Sequence, residues 1–334
     1  MYAAMSKWDV RHRRIPPRLR RSKLSIIGRP RKVLSSPPHA PRAAPFHIYV
    51  YGPLGFRSSS TAPHLTDPTG PPTLRAAEVL LPGILVETSW LEQRLGEPEL
   101  RIVDLREPGD YSESHVPGAV QLDLARLGTE RDGCDNVLLT AGDFSDLMES
   151  LGIGTGSAVV AYDDQWGLAA ARLVWALHFY GHPAATILDG GWDRWREEGR
   201  VMTDVATTPA HARFEVSTKD DVGADLEWLS TRVPGAELTL LDTRTQGEFD
   251  QGHLPGAIPW DWFNAVPPDS WDCAREPEEL RVEWGKLGID PSHEIVVYCR
   301  SGMRAAHTYV VLKHAGYPRV RLYDGSWQEW SLSL

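Results

Sequence analysis

From Leu80 onward the chain alternates two hydrophobic patterns. Short apolar runs, such as Val159-Val160-Ala161-Tyr162 and Ile295-Val296-Val297-Tyr298, are rich in β-branched and aromatic residues. They suit strands buried on both faces. Between them lie stretches of helical period, among them Ala169 to Tyr180 and Ala305 to His314. The second of these is closed by Gly316, which suits the left-handed turn that ends a helix. This alternation predicts parallel α/β architecture.

The pattern occurs twice. Ile102 to Asp123, IVDLREPGDYSESHVPGAVQLD, aligns with Leu240 to Asp261, LLDTRTQGEFDQGHLPGAIPWD. Asp104 falls on Asp242, Arg106 on Arg244, Tyr111 on Phe249, His115 on His253, and one Pro-Gly-Ala on the other. Asp189-Gly190-Gly191-Trp192 falls on Asp324-Gly325-Ser326-Trp327, with Trp195 on Trp330. Matches in the same order over a domain-length period predict two tandem domains. The expected boundaries are 84–199 and 225–334, with 200–224 as a linker.

The second copy carries the candidate chemistry. Its strand at 295–298 ends at Cys299-Arg300-Ser301-Gly302-Met303-Arg304, and a helix follows. A cysteine between a buried strand and a helix N-terminus faces unpaired backbone N–H groups and the positive end of the helix dipole. Two arginines add to the pull on an anion, the thiolate included. The repeat supplies a control. Asp163 stands where Cys299 stands, and Asp164 to Leu168 replaces the arginine-bearing loop. The first copy therefore keeps the scaffold, lacks the nucleophile and is expected to wall the site.

Charge and cysteine usage narrow the picture. Residues 1–78 hold 14 Lys/Arg against 3 Asp/Glu, and the remainder holds 21 against 42. The acidic body argues against nucleic-acid binding. The Pro-, Arg- and Ser-rich leader, to about residue 80, has no sustained period and predicts disorder. A targeting peptide, a binding arm and upstream sequence added by a wrong start codon all fit it. The three cysteines are Cys134, Cys273 and Cys299; they show neither C-x-x-C nor metal-ligand spacing. That argues against a disulfide framework and against zinc, and for a reducing setting. The expected place is the cytoplasm, or the mitochondrion if the leader is a genuine targeting signal. No apolar stretch has the length of a membrane span.

The paired D-x-R…H-x-P-G-A segments, the C-R-S-G-M-R loop and the D-G-[SG]-W signature resemble the two-domain rhodaneses, the thiosulfate and 3-mercaptopyruvate sulfurtransferases. The resemblance covers about residues 82–334. It implies an inactive first domain, an active second one and a persulfide on Cys299. Arg300, Ser301, Gly302, Met303 and Arg304 would bind substrate around it. It also implies a small sulfur donor, thiosulfate, and a small acceptor, cyanide or a thiol. No cofactor or metal is expected, and the chain is expected to be a monomer. Cysteine phosphatases resemble C-x5-R; the C-x4-R spacing here is one residue shorter and suits a single sulfur better than a phosphate. Arg300 favours thiosulfate, since a second cation helps bind a dianion. A 3-mercaptopyruvate sulfurtransferase, or a persulfide carrier or regulatory module that serves a protein partner, remains the alternative. Glu248 departs from the family pattern, which has a substrate-binding arginine there, and Arg304 is the candidate to compensate.

Other positions have plainer expectations. Arg106 and Arg244 recur in both copies, which favours a structural salt bridge. Arg244, in the catalytic copy, is also carried as a candidate substrate contact. Asp104, Asp242, His115 and His253 are expected to be structural for the same reason. Cys134, in a polar turn, and Cys273, beside acids, are expected to be incidental. The tryptophan pairs Trp192/Trp195 and Trp327/Trp330 are expected to be packing groups.

Overall fold

The computed structural model describes residues 81–232, 235 and 237–334, all within the compact unit Arg75–Leu334. The basic leader expected up to residue 80 lies outside the described residues.

The first copy runs β1 (Leu85–Val86), α1 (Thr88–Glu92), β2 (Leu100–Asp104), α2 (Pro108–Glu113) and β3 (Ala119–Gln121). An antiparallel hairpin follows, β4 (Gly128–Arg131) and β5 (Cys134–Leu138). Then come α3 (Ala141–Ser150), β6 (Ala158–Tyr162), α4 (Leu168–Phe179), β7 (Ala185–Leu188) and α5 (Gly191–Glu197). The second copy runs β8 (Gly223–Ala224), α6 (Leu226–Ser230), β9 (Leu238–Asp242), α7 (Gln246–Gln251) and β10 (Ile258–Pro259). It continues with α8 (Pro277–Lys286), β11 (Glu294–Tyr298), α9 (Met303–His314), β12 (Val320–Tyr323) and α10 (Ser326–Leu332).

The two main sheets share one topology. The first is ordered β1-β7-β6-β2-β3, and the second, read from its matching edge, β8-β12-β11-β9-β10. All their pairings are parallel. β6 and β11 lie at the centre; β6 is buried along its whole length, and β11 from Ile295 onward. This is the burial that the unbroken apolar runs call for. The order in which strands are added reverses between β9 and β11, with β10 on one side and β12 on the other, so the crevice at their C-terminal ends is where an open α/β sheet collects its ligand. Cys299 stands there, directly after β11.

The copies share a core. α4 packs against α9, and one apolar cluster runs from Leu173, Val174 and Trp175 to Tyr309, Val310 and Leu312. Residues 200–224 are more than a tether. Thr203 exchanges both backbone hydrogen bonds with His115, Phe214 is buried beside Phe144, and Ser217 and Lys219 donate to the carbonyls of Tyr180 and Phe179. The strap then becomes β8, an edge strand of the second sheet.

The tryptophans behave as packing groups. Trp192 and Trp195 are buried under the first sheet. Trp327 and Trp330 are partly buried against the second. Cys134 departs from its expected place in a polar turn. Asp132 (φ 53°) and Gly133 (φ 77°) form a tight left-handed hairpin turn, so Cys134 is already the first residue of β5 and only 4% exposed.

Candidate active site

The paired aspartates and arginines build the floor. Asp242, at the end of β9, accepts from Arg244 Nε at 2.9 Å and Nη2 at 2.6 Å, and Arg244 Nη2 also donates to Gly252 O at 2.7 Å. The guanidinium lies 4.8 Å from the Trp327 ring. Asp104 and Arg106 repeat this pair in the first copy, with Trp192 at 3.9 Å. Both arginines are buried. Engagement of Arg244 with Asp242 and Gly252 favours the salt bridge over a substrate contact. His115 and His253 stack on Tyr111 and Phe249 at 3.8 and 3.7 Å, and their Nδ1 atoms lie 2.7 and 3.0 Å from the carbonyls of those same residues. They shape the turn before Pro-Gly.

The loop itself spans Cys299 to Gly302. Gly302 is left-handed (φ 83°) and caps α9. A side chain there would meet Arg172 Nη1 at 2.7 Å, so glycine is required by both conformation and space. Ser326 Oγ accepts from the N–H groups of Cys299 and Gly302, both at 3.2 Å, and donates to Tyr323 O at 2.8 Å. Ser326 is itself left-handed (φ 55°) and fully buried, a strained state for a non-glycine residue. Cys299 is 1% exposed.

The first copy shows what this loop is built to hold. The Asp163 carboxylate accepts from Gln165 N, Gly167 N, Ala169 N and Ala170 N at 2.7–2.9 Å. Burial pushes its pKa up, against the pull of those N–H groups. An anion thus fills the ring of loop and first-turn donors. In the second copy the N–H groups of Ser301, Arg304 and Ala305, the counterparts of Gln165, Ala169 and Ala170, have no hydrogen-bond partner among the described residues. The loops differ in length by one residue. Four positions separate Tyr298 from Met303, and five separate Tyr162 from Leu168.

Two arginines flank the loop in different states. Arg300 is exposed and forms no ion pair among the described residues. Arg304, on the first turn of α9, pairs bidentately with Glu248, Nη1 to Oε2 at 2.7 Å and Nη2 to Oε1 at 2.8 Å. Glu248 also closes a capping box with Thr245 at the start of α7. Burial opposes its ionisation, but the Arg304 hydrogen bonds and charge outweigh that and hold its pKa down to about 2. Burial likewise works against the Arg304 cation, and Glu248, together with the charge of Cys299, raises its pKa above the usual value. The acid at 248 therefore engages the very arginine expected to compensate for it.

The site has contributors that the sequence did not single out. Asn136, on β5 of the first copy, donates from Nδ2 to Ser301 O at 2.8 Å. Arg172, on α4, lies 2.6 Å from Asp324 Oδ1 and donates to Asn136 O at 2.8 Å. Asp324 Oδ2 accepts from Leu138 N at 2.7 Å. The pseudo-symmetric set has His307 Nε2 3.1 Å from Trp166 O and 3.0 Å from Cys273 O, and Asp189 accepting from Cys273 N at 2.8 Å. A signal for two of them exists. Arg172 and His307 occupy matching places, the fifth position of α4 and of α9. Cys273 is buried in this contact, and burial with the charges of Asp189 and Asp163 pushes its thiol pKa well up, as suits an inert cysteine.

The rhodanese-like domain family matches the chain twice, over residues 87–198 and 225–333. The chain belongs to the rhodanese family. Similar rhodaneses include the sulfur carrier protein TtuD of Thermus thermophilus, 35% identical over 274 residues, which cover 75% of this chain and 94% of that one. The thiosulfate sulfurtransferase of Pseudomonas aeruginosa is 32% identical over 255 residues, with 74% and 93% covered. Among solved structures, SseA from Escherichia coli, described as a 3-mercaptopyruvate sulfotransferase, superposes with a TM-score of 0.67 at 25% identity, covering 73% of this chain and 99% of that one. No helix among the described residues is long and apolar enough to cross a membrane.

Proposed function

We propose that this rhodanese is a thiosulfate sulfurtransferase that works through a persulfide on Cys299. The observation that carries this reading is the Asp163 carboxylate, seated in four loop donors of the first copy, beside three corresponding donors that have no partner among the described residues around Cys299. The Cys299 thiolate attacks the outer sulfur of thiosulfate. A new S–S bond forms, the old one breaks, and sulfite leaves with the electron pair. The anionic persulfide rests against the N–H groups of Ser301, Arg304 and Ala305 and the dipole of α9. Cyanide then attacks the outer sulfur, thiocyanate departs and the thiolate returns; a thiol can take the sulfur in the same way. This is double-displacement covalent catalysis and asks for no metal or organic cofactor. Arg300 faces the incoming dianion, with Gly302 and Met303 shaping the turn into α9.

Intact-mass spectrometry tests this directly. Thiosulfate should add about 32 mass units, one sulfur, cyanide should remove them, and Cys299→Ser should prevent the gain and abolish thiocyanate formation. Thiocyanate formation that survives Cys299→Ser would overturn the assignment. Loading by 3-mercaptopyruvate but not by thiosulfate would transfer the donor role. A second reading, delivery of the persulfide to a protein partner, draws on the likeness to a sulfur carrier protein and on the Glu248–Arg304 pair, which leaves Arg300 as the unpaired cation of the loop. Slow turnover with cyanide beside fast discharge to a partner would favour it.

A further inference from the structure

The Ser301–Gly302 peptide group is held from two sides by two different domains. Its carbonyl oxygen accepts from Asn136 Nδ2 of the first copy at 2.8 Å. Its N–H donates to Ser326 Oγ of the second copy at 3.2 Å. In a trans peptide these two groups point in opposite directions, so the two bonds together fix the plane.

This plane needs fixing. Gly302 has no Cβ, and the peptide before a left-handed glycine turns over at little steric cost. In the first copy the equivalent N–H, of Gly167, donates to Asp163 Oδ1 at 2.8 Å, so that side of the peptide is where the anion sits. A half-turn at Ser301–Gly302 would put a carbonyl lone pair there instead, facing an anionic sulfur.

The first copy is held in the same way by the second. Trp166 O, on the peptide before Gly167, lies 3.1 Å from His307 Nε2. The same nitrogen is 3.0 Å from Cys273 O. Both partners are carbonyls, so Nε2 carries the hydrogen and donates. Each domain thus reaches across to hold the carbonyl of the other's loop. Asn136 is well anchored for this task. It is 7% exposed, and its own carbonyl accepts from Arg172, which contacts Asp324. It also tolerates a left-handed backbone (φ 62°).

We propose that Asn136, in the copy without the nucleophile, is a positioning residue for Cys299: it keeps the Ser301 carbonyl turned out of the anion cradle. The role in turnover rests on the sulfur-transfer reading above; the role in shaping the loop does not.

Asn136→Gly is the test. Glycine adopts the same backbone without strain and keeps the carbonyl that Arg172 holds, so only the donor to Ser301 is lost. Alkylation of Cys299, read from its peptide by mass spectrometry, is compared for iodoacetate, an anion, and iodoacetamide, which is neutral. Freeing the Ser301 carbonyl to turn toward the cradle should cut the iodoacetate-to-iodoacetamide rate ratio about tenfold and lower kcat with thiosulfate by a similar factor. A thermal melt should show little change. Asn136→Asp, equal in size but unable to donate when ionised, should lose at least as much. A wild-type ratio and a wild-type kcat in a folded Asn136→Gly protein would overturn the proposal. If thiosulfate loads not even the wild type, the sulfur-transfer reading fails, and the alkylation ratio still decides the role of Asn136.

Discussion

Glu248 is the residue at which this chain parts from its expected pattern, and the structure gives the change a purpose. Its carboxylate joins α7 to α9 through Thr245 and Arg304, and on the proposed reading of Arg304 as a substrate contact it competes with the donor for the guanidinium. Glu248→Gln keeps the capping box, since glutamine serves there too, and releases the arginine. The KM for thiosulfate should fall by about threefold, the scale of one partly exposed ion pair; an unchanged KM would mean that Arg304 never meets the donor. The same pair has a pH signature. An unfolded glutamate titrates near 4.3, whereas Glu248 titrates at about 2. A depressed folded pKa stabilises the protein above the unfolded value, and that contribution is lost as pH falls between about 4.3 and about 2. The stability gap between wild type and Glu248→Gln in urea titrations should therefore be widest above about pH 5 and close below it. A gap independent of pH would count against the ion pair.

The loop elements owe their shape to what they surround. In the first copy that is Asp163, and Asp163→Ala would leave four buried or part-buried N–H groups without their acceptor. Unfolding in urea should show a loss of about 3 kcal/mol; a loss below about 0.5 kcal/mol, typical of an ordinary surface change, would show that the carboxylate is dispensable. Much of this was legible beforehand. Apolar runs gave β6 and β11, the repeat gave two parallel sheets, and the Asp163-for-Cys299 replacement marked which copy has a cysteine in its loop. Local spacing carried all of that. What stayed hidden depends on contacts across long stretches of chain. Asn136 reads as a polar residue in a hairpin, and nothing near it in sequence points to Ser301. The Glu248–Arg304 pair joins residues 56 apart, so nothing local ties the acid to the arginine. Arg172 and His307 sit in helices that carry other polar residues, and nothing local marks them until the partner carbonyls are seen.

Both copies share one apolar core. α4 and α9 contribute to a single apolar cluster, and the strap from Arg200 to Ala224 leaves one sheet only to become the edge of the other. Calorimetry should give one unfolding transition with the calorimetric and van't Hoff enthalpies equal; two resolved transitions would mean that the shared cluster is a weak seam. The reciprocal hold on the two loops has a further consequence for how the protein comes into being on the ribosome. The strap is made before the second copy, so the first copy has nearly everything it needs early. Its loop still waits for His307. Asn136 and Ser301 are 165 residues apart, an interval of roughly 10 to 30 s at ordinary rates of translation. The Ser326 and Asp324 contacts come later still. A nascent chain that has just exposed Cys299 therefore has the proposed nucleophile but not its finished surroundings. A stalled chain that ends short of Asp324 and Ser326 is expected to react with sulfur donors more slowly than the folded protein, which a labelling assay on truncated chains would check.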